Sequence, residues 1–275
     1  MREKSVPLYP KKDSILKHSI AIYGCGKLGN IVARAAMDGL LPEYEIIACC
    51  SRTFESALRT AELCGPSAKA CRSEEEMLEL HPDYIVEAAS PAAMKRIAVP
   101  ALERGISIVT LSIGAFADDA FYEEVRQAAL RGGAKVHIAS GATGGFDVLQ
   151  TAALMGDATA GFFNEKGPDA LRGTPVYDDS LQREQKTVFE GTASEAIRLF
   201  PTKVNVTVAA ARASVGPESL HVRMLSTPGF KGDTQRVEIR NDQVHATVDV
   251  YSRTSEIAAW SVVRVLRNLV SPIVF

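Results

Sequence analysis

The stretch Ser19-Ile-Ala-Ile-Tyr-Gly-Cys-Gly-Lys-Leu-Gly-Asn30 decides the fold of this chain. Apolar residues suited to a buried strand run directly into a Gly-x-Gly-x-x-Gly turn, and residues 31–36 continue with apolar side chains at helical spacing. A strand, a glycine turn and a helix in this order are typical of a site for the pyrophosphate of a dinucleotide, because the free N–H groups at the helix start face the anion. A turn with a purely structural role is the alternative, since glycine precedes many helices.

Each glycine of this turn has a distinct predicted task. Gly24 permits the tight turn, Gly26 lacks the Cβ that would keep the backbone away from phosphate, and Gly29 lets the helix lie close on the strand. The predicted cofactor-binding residues of the stretch are Gly24, Gly26, Lys27, Leu28 and Gly29.

The end of the second strand bears on the choice between the two nicotinamide cofactors. Residues 45–50 have the apolar character of a buried strand, which ends at Ser51-Arg52. In the NAD-type pattern an acidic residue at this point binds the ribose 2′-hydroxyl, whereas a hydroxyl and a guanidinium suit a 2′-phosphate. We therefore expect Ser51 and Arg52 to bind NADP in preference to NAD. The alternative is that Arg52 is a solvated loop residue.

Strands and helices alternate as far as residue 139 and are joined by short connections. Further strands are predicted over 84–89, 106–111 and 134–139, with helices over 53–63, 91–104 and 119–131. This α/β alternation predicts a doubly wound parallel sheet of the Rossmann type with helices on both faces. Ligands of such sheets lie beyond the carboxyl ends of the strands, where Ser90, Gly114 and Ser140 fall.

The pattern changes after residue 147. Helices are predicted over 148–156, 193–199 and 205–214, a loop-rich segment over 164–186, period-2 strands over 220–226, 234–240 and 244–251, and a final amphipathic helix over 255–269. Turns at Pro228-Gly229 and Asn241-Asp242 join the strands, which favours a second, α+β domain with a mostly antiparallel sheet. The predicted domains are an N-terminal extension at 1–17, a dinucleotide-binding domain formed by 18–141 plus 254–275, and a substrate and oligomerisation domain at 142–253.

Composition narrows the class of protein. The formal net charge of −2 provides neither a basic field for nucleic acid nor a polybasic patch for a membrane surface. No stretch approaches the ~20 apolar residues that span a bilayer, and no signal peptide is evident. The five cysteines fall between residues 25 and 71 without metal-ligand spacing. We expect a cytoplasmic protein with a small-molecule substrate, no metal site and, through pairing of exposed sheets, a homodimer.

Four ordered motifs resemble the L-aspartate dehydrogenase family, and the resemblance covers nearly the whole chain from about residue 19. The motifs are Leu111–Asp118, Ile138–Asp147, Phe189–Ala196 with Phe200-Pro201 and Asn205-Val206, and Arg253–Ser255 with Ala258, Ala259 and Leu266–Leu269. The resemblance implies a soluble homo-oligomeric enzyme that uses NAD(P) to interconvert L-aspartate with iminosuccinate, or with oxaloacetate and ammonia.

The resemblance also implies roles for individual residues. The family's cofactor contacts fall on the three glycines, on Ala142 and on Asn205. The histidine that family enzymes use as an acid/base falls near residues 233–235, where this chain has Asp-Thr-Gln and Thr234 is the best-matched residue. The family's Asn-Pro before the final Thr-Ser is also replaced, by Tyr251-Ser252-Arg253.

Candidates for acid/base chemistry and for carboxylate binding complete the predicted site. The catalytic candidates are Asp147, His221 and Thr234, whose hydroxyl relays or positions a proton rather than acting alone. Helix capping is the alternative for Asp147, and a structural role is the alternative for His221. The candidates for holding the substrate are Lys203, Arg253, Thr254 and Ser255. Their alternatives are solvated surface charges and a helix cap.

These observations predict an NAD(P)-dependent oxidoreductase that acts on a small amino acid or its imine or keto partner. One alternative is a dehydrogenase of the same architecture with a non-amino-acid substrate, for which ammonia would make no difference. The other is a dinucleotide-binding protein without catalytic activity, which the missing histidine suggests.

Overall fold

The computed structural model describes residues 17–200 and 204–275, which form two β-sheets with helices packed on them. The first sheet and its helices come from the first half of the chain. Their bounds are β1 His18–Tyr23, α1 Lys27–Met37, β2 Tyr44–Cys50, α2 Phe54–Cys64, β3 Lys69–Cys71, α3 Glu74–Leu78, β4 Tyr84–Glu87, α4 Pro91–Glu103, β5 Ser107–Thr110, α5 Asp119–Gly132 and β6 Val136–Ile138. A 3-10 turn at Ile113–Ala117 precedes α5.

The strands of the first sheet are all parallel, in the order β3-β2-β1-β4-β5-β6. The predicted doubly wound sheet is therefore confirmed. Ile20, Ala21 and Ile22, which project from alternate faces of β1, are all completely buried, as expected for a strand covered on both faces. Because β1 lies beside β4, the glycine turn after β1 is at the point where the strand order reverses. The edge strand β3 was not predicted, since its three residues are too few to show a periodicity.

The remaining elements build the second sheet and one returning helix. Their bounds are α6 Phe146–Leu154, β7 Thr159–Lys166, β8 Lys186–Thr192, α7 Ala193–Leu199, α8 Asn205–Arg212, β9 His221–Ser226, β10 Asp233–Arg240, β11 His245–Ser252 and α9 Glu256–Val270. The strand order is β11-β10-β7-β9-β8, in which only the pairing of β7 with β9 is parallel. The predicted mostly antiparallel sheet is confirmed.

The sequence did not predict two strands of this sheet, and the pairing it implied was wrong at one turn. β7 lies at the centre of the sheet, although the predicted loop of 164–186 included its last residues, and β8 was not predicted either. Since β7 separates β9 from β10, the turn at Pro228-Gly229 joins strands that are not neighbours. Period-2 patterning shows which face of a strand is buried but not which strand it pairs with. In β7 the adjacent Phe162 and Phe163 also obscure the alternation.

The last helix packs back on the first sheet. In α9, Val262 and Leu266 are buried in the same apolar cluster as Ile20 and Val32. The Tyr44 hydroxyl, at the start of β2, donates a hydrogen bond to the carbonyl oxygen of Leu266 over 2.7 Å. Within the described parts of the chain, no helix has both the length and the apolar character required to cross a membrane.

Candidate active site

The turn between β1 and α1 has the shape that a bound diphosphate requires. Gly24 has a φ of +106°, and a Cβ there would lie 2.6 Å from the carbonyl carbon of Ala88. A Cβ on Gly29 would lie 2.1 Å from the carbonyl oxygen of Gly24, whereas a Cβ on Gly26 would meet nothing within 4 Å. Two glycines are therefore required for packing, and the third leaves open the space at the start of α1 where N–H groups face an anion.

A cavity of about 410 Å³ extends from this turn. Ser51 and Arg52 line it on one side and Ala88–Ser90 on the other, so the predicted cofactor-binding residues after β2 lie beside the glycine turn. The Ser51 hydroxyl accepts a hydrogen bond from the N–H of Cys25 over 3.3 Å. No Asp or Glu is among the described residues that line this cavity.

Two further cations lie near the turn. Arg96 lines the same cavity, although no sequence motif pointed to it. Its Nε donates to Glu74 over 3.0 Å and its Nη2 to the Tyr23 hydroxyl over 2.9 Å. The ammonium group of Lys27, a predicted cofactor-binding residue, lies 3.1 Å from a carboxylate oxygen of Glu256 on α9. Lys27 therefore offers its backbone at the helix start rather than a side chain directed at the cavity.

A buried carboxylate supports the loops at this edge of the sheet. Glu87, the last residue of β4, is completely buried and accepts five hydrogen bonds. Its Oε1 accepts from the N–H groups of Ala89 and Ser90 and from the Ser112 hydroxyl. Its Oε2 accepts from the Thr110 hydroxyl and the Ser112 N–H. Burial raises the pKa of Glu87 above its usual value. Through these hydrogen bonds, Glu87 connects the loop after β4 to the loop after β5.

A second cavity, of about 540 Å³, adjoins the first at Ala88–Ser90. Three residues predicted from strand ends or from the resemblance, Ser90, Gly114 and Asn205, line it together with Leu28. Asn205 begins α8, and its Oδ1 accepts a hydrogen bond from the Gly114 N–H over 2.8 Å. One wall of the cleft is thus supplied by the second half of the chain.

A third cavity, of about 230 Å³, shares Leu28, Leu111 and Asn205 with the second. Ser140 and Ala142, in the loop after β6, line it as well. The strands β7 and β10 contribute four polar side chains to its lining, Asn164, Lys166, Asp233 and Gln235. The three cavities together form one cleft that leads from Arg52 to the second sheet.

The polar side chains from β7 and β10 form one hydrogen-bonded cluster around Asp233. Asn164 Nδ2 donates to Asp233 Oδ1 over 2.6 Å, and Gln235 Nε2 donates to Asp233 Oδ2 over 2.5 Å. Lys166 Nζ lies 3.9 Å from Asp233 Oδ1. Gln235 is only 4% exposed, and among the described residues its Oε1 has no hydrogen-bond donor. The cluster offers the cavity a cation, a carboxylate and an amide oxygen.

The structure places two predicted catalytic residues away from this cavity. Successive side chains of a strand alternate between faces, so Thr234 projects from the face of β10 opposite to Asp233 and Gln235. Thr234 therefore lines none of the three cavities, and its catalytic role stays a prediction. His221 begins β9 with an exposed side chain, 3.4 Å from a carboxylate oxygen of Glu190. It lines none of the three cavities.

Asp147 also lies outside the cavities. It is exposed in the first turn of α6, where an acidic side chain favours the helix N-terminus. Gly145 occupies the N-cap position, so Asp147 does not cap the helix as the alternative interpretation expected.

The predicted substrate-binding residues before α9 are exposed. Arg253, Thr254 and Ser255 connect β11 to α9 and line none of the three cavities. The Thr254 hydroxyl accepts a hydrogen bond from the N–H of Glu256 over 3.3 Å, whereas Ser255 occupies the N-cap position of α9 without a side-chain capping bond. The remaining candidate, Lys203, lies outside the described residues.

Comparison with known proteins agrees with this arrangement. Residues 24–139 match a family model described as the NAD-binding domain of homoserine dehydrogenase, and residues 147–269 match one described as the C-terminal domain of aspartate dehydrogenase. A nicotinamide-dinucleotide domain joined to a second sheet across a polar cavity defines an NAD(P)-dependent oxidoreductase.

The relatives identify the family. L-aspartate dehydrogenase of Methanocaldococcus jannaschii is 30% identical over 266 residues, which cover 92% of this chain and 97% of the relative. The enzyme of Methanosarcina acetivorans is 31% identical over 270 residues, with the same two coverages. The crystal structure of aspartate dehydrogenase from Thermotoga maritima has a TM-score of 0.72 at 25% identity and covers 94% of this chain and 99% of its own. The chain belongs to the aspartate dehydrogenase family.

A more distantly related structure is similar to this chain in fold alone. A hyperthermophilic archaeal homoserine dehydrogenase in complex with NADPH has a TM-score of 0.61 at 14% identity and covers 94% of this chain and all of its own. The predicted family, the Rossmann-type fold and the dependence on a nicotinamide dinucleotide are confirmed. The loss of the family's histidine stays a prediction.

Proposed function

We propose that this enzyme uses NADP to interconvert a small amino acid, with L-aspartate the first candidate, and the corresponding oxo acid plus ammonium. In the direction of amine formation, oxaloacetate, ammonium, NADPH and one proton give L-aspartate, NADP⁺ and water. The names of the curated relatives support this substrate class, since they are L-aspartate dehydrogenases.

The observation that carries the proposal is the contact between the cofactor cleft and the polar cavity. The cavities on either side share Leu28, Leu111 and Asn205. A bound nicotinamide supplies or accepts the hydride. We assign the diphosphate to the turn at Gly24–Gly29, and the nicotinamide end to Ser90, Gly114, Ala142 and Asn205. A substrate in the third cavity would then adjoin the nicotinamide, which hydride transfer requires.

The choice of NADP rests on the first cavity. Ser51 and Arg52 line it after β2, and its described lining contains no carboxylate that would repel a 2′-phosphate. A guanidinium is suited to bind phosphate through two parallel hydrogen bonds. These groups support NADP over NAD.

The substrate assignment rests on the third cavity. Lys166 supplies a positive charge that suits a carboxylate, and the volume of about 230 Å³ suits a small molecule. We therefore assign carboxylate binding to Lys166. The roles inferred from the sequence for Lys203, Arg253, Thr254 and Ser255 stay predictions.

We also propose that the enzyme is a cytoplasmic homodimer with the domain division inferred from the sequence. The five cysteines are unpaired and buried, as is usual in reducing compartments. One face of the second sheet carries exposed side chains, including Arg236, Glu238 and Tyr251, and such a face can pair with a second copy.

The test is the oxidation of NADPH by the purified protein with oxaloacetate and with other small oxo acids, each with and without ammonium. The proposal predicts oxidation that depends on both the oxo acid and ammonium. Oxidation at the same rate without ammonium would instead indicate reduction to a hydroxy acid. No oxidation across the whole panel would contradict the proposal.

A further inference from the structure

Gln235, which lines the third cavity, carries an unsatisfied hydrogen-bond acceptor. The residue is 4% exposed, and its Oε1 has no donor among the described residues. Buried polar atoms are almost always hydrogen-bonded, because an unpaired one loses its interaction with water without compensation. An orphaned acceptor in the wall of a ligand cavity therefore indicates a donor on the ligand.

The orientation of the Gln235 amide follows from its neighbour. Only the amide nitrogen can donate to the carboxylate of Asp233, which lies 2.5 Å away, so the oxygen is the atom without a partner. Asp233 is fixed in turn by Asn164, whose Nδ2 donates to its other oxygen over 2.6 Å and to the Thr234 carbonyl oxygen over 2.9 Å. The acceptor is thus held in place by a chain of hydrogen bonds from β7 to β10.

The chemistry of the two adjacent groups selects the kind of ligand atom. An amide oxygen accepts hydrogen bonds only, and the neighbouring carboxylate favours positive charge. The ammonium group of an amino acid and the iminium group of its imine partner both donate hydrogen bonds and carry positive charge. A carbonyl or carboxylate oxygen of the substrate would instead face two acceptors. Lys166, 3.9 Å from Asp233, provides the opposite charge for the carboxylate of the same molecule.

We infer that Gln235 Oε1 and the Asp233 carboxylate, which we call the nitrogen-binding pair, bind the nitrogen atom of the substrate. The inference rests on the proposed function, because it assigns a part of the same site. Gln235 cannot exchange a proton at neutral pH, so the pair orients the nitrogen and stabilises its charge. It makes the cavity selective for amines and imines over the corresponding oxo acids and hydroxy acids.

A comparison of two ligands tests the pair without turnover. L-aspartate and succinate differ only in the amino group, and both can be titrated by calorimetry into the protein saturated with NADPH, which cannot accept a hydride from L-aspartate. We expect the wild type to bind L-aspartate about tenfold more tightly than succinate, the effect of one charge-assisted hydrogen bond. We expect Gln235→Met to lose this preference while its affinity for succinate changes by less than about twofold. Asp233→Asn preserves side-chain volume and should lose the preference as well.

Kinetics separate nitrogen binding from a merely structural role. In Gln235→Met the KM for ammonium should rise about tenfold, whereas the KM values for oxaloacetate and NADPH should change by less than about twofold. Loss of structure would instead raise all three KM values together. The matched control is Asp242→Asn, an exposed position in the β10–β11 turn that lines none of the three cavities and should leave every constant unchanged.

Each result has a defined meaning. Equal affinity of the wild type for L-aspartate and succinate would overturn the nitrogen-binding pair, and so would a preference that both variants retain. If Gln235→Met is too unstable to assay, the affinities of Asp233→Asn for L-aspartate and succinate test the inference. The proposed function is judged separately, by ammonium-dependent turnover of the wild type, so either claim can fail while the other stands.

Discussion

Asn205 Oδ1 lies 2.8 Å from the N–H of Gly114 and accepts its hydrogen bond. Asn205 begins α8 in the second half of the chain, whereas Gly114 belongs to the 3-10 turn that follows β5 of the first sheet. A Cβ on Gly114 would lie 2.9 Å from the same oxygen, so glycine permits this close approach. The bond therefore fixes the two walls of the cleft where we place the nicotinamide.

Removal of this bond should weaken cofactor binding more than it weakens the fold. Asn205→Ala leaves the Gly114 N–H without its partner, and we expect the Kd for NADPH to rise about fivefold to tenfold, with a loss of about 1 kcal/mol in the free energy of unfolding. Fluorescence titration and urea unfolding measure the two effects. Asn241→Ala is the control, because it removes hydrogen bonds to Ala152 in α6 and to Val244 after the β10–β11 turn and lines none of the three cavities. Equal Kd values for the two variants would contradict the assigned role.

The glycines of the first turn should separate binding from stability. Gly26→Ala adds a Cβ to the open space at the start of α1, so the protein should fold normally but bind NADPH at least about tenfold more weakly. Gly29→Ala forces a Cβ against the Gly24 carbonyl oxygen and should cost about 1–3 kcal/mol in the free energy of unfolding. Thermal unfolding without ligand and calorimetry with NADPH measure both. Normal NADPH affinity of the Gly26→Ala variant would contradict the assignment of the diphosphate to this turn.

Arg52 should determine the preference between the two cofactors. We expect the wild type to bind NADPH about tenfold or more tightly than NADH, and Arg52→Asp to lose this preference because a carboxylate repels the 2′-phosphate. Equilibrium titration with both nucleotides gives the ratio. Arg59→Asp makes the same charge change on α2, outside the cavity lining, and should keep the preference. Equal affinity of the wild type for NADPH and NADH would show that the assignment of NADP is wrong.

Glu87 should contribute to stability in a pH-dependent way. Its pKa in the folded state is raised by burial, so the folded state binds the proton more tightly than the unfolded chain does. The carboxyl's contribution to stability is therefore largest below the unfolded pKa of about 4.3 and falls as the pH rises through the higher folded pKa.

The variant Glu87→Gln isolates this effect. Its free energy of unfolding should be lower by about 1–3 kcal/mol, because the amide nitrogen cannot accept hydrogen bonds from the buried donors. Urea unfolding of both proteins between pH 4 and pH 7 measures the difference, which should shrink as the pH rises. A difference that grows with pH would mean that the hydrogen bonds to the carboxylate outweigh its burial.

Local sequence was sufficient to predict the glycine turn and five of the six strands of the first sheet, all but β3. Gly24, Gly26 and Gly29 act within one turn, so their spacing alone carries the information. Strand ends also predicted cavity-lining residues, because in a parallel sheet the residues that follow the strands meet at one edge. These residues are Ser51, Ser90, Gly114 and Ser140.

The third cavity could not be predicted in the same way, because its side chains depend on strand pairing. Asn164 and Lys166 lie on β7, whose central position follows from partners distant in sequence. The sequence analysis selected Thr234, whereas its neighbours Asp233 and Gln235 line the cavity, because a shift of one residue in a strand exchanges one face for the other. Had the alternation of buried Val237 and Ile239 been extended backwards, it would have selected Gln235 and Asp233.

The central claim is that hydride passes from the nicotinamide to the carbon that bears the substrate nitrogen. The most direct measurement is to supply NADPH with deuterium at the transferred C4 position, together with oxaloacetate and ammonium, and to analyse the product by mass spectrometry and NMR. We predict L-aspartate with a single deuterium at Cα. Deuterium in malate instead, or aspartate without deuterium, would contradict it.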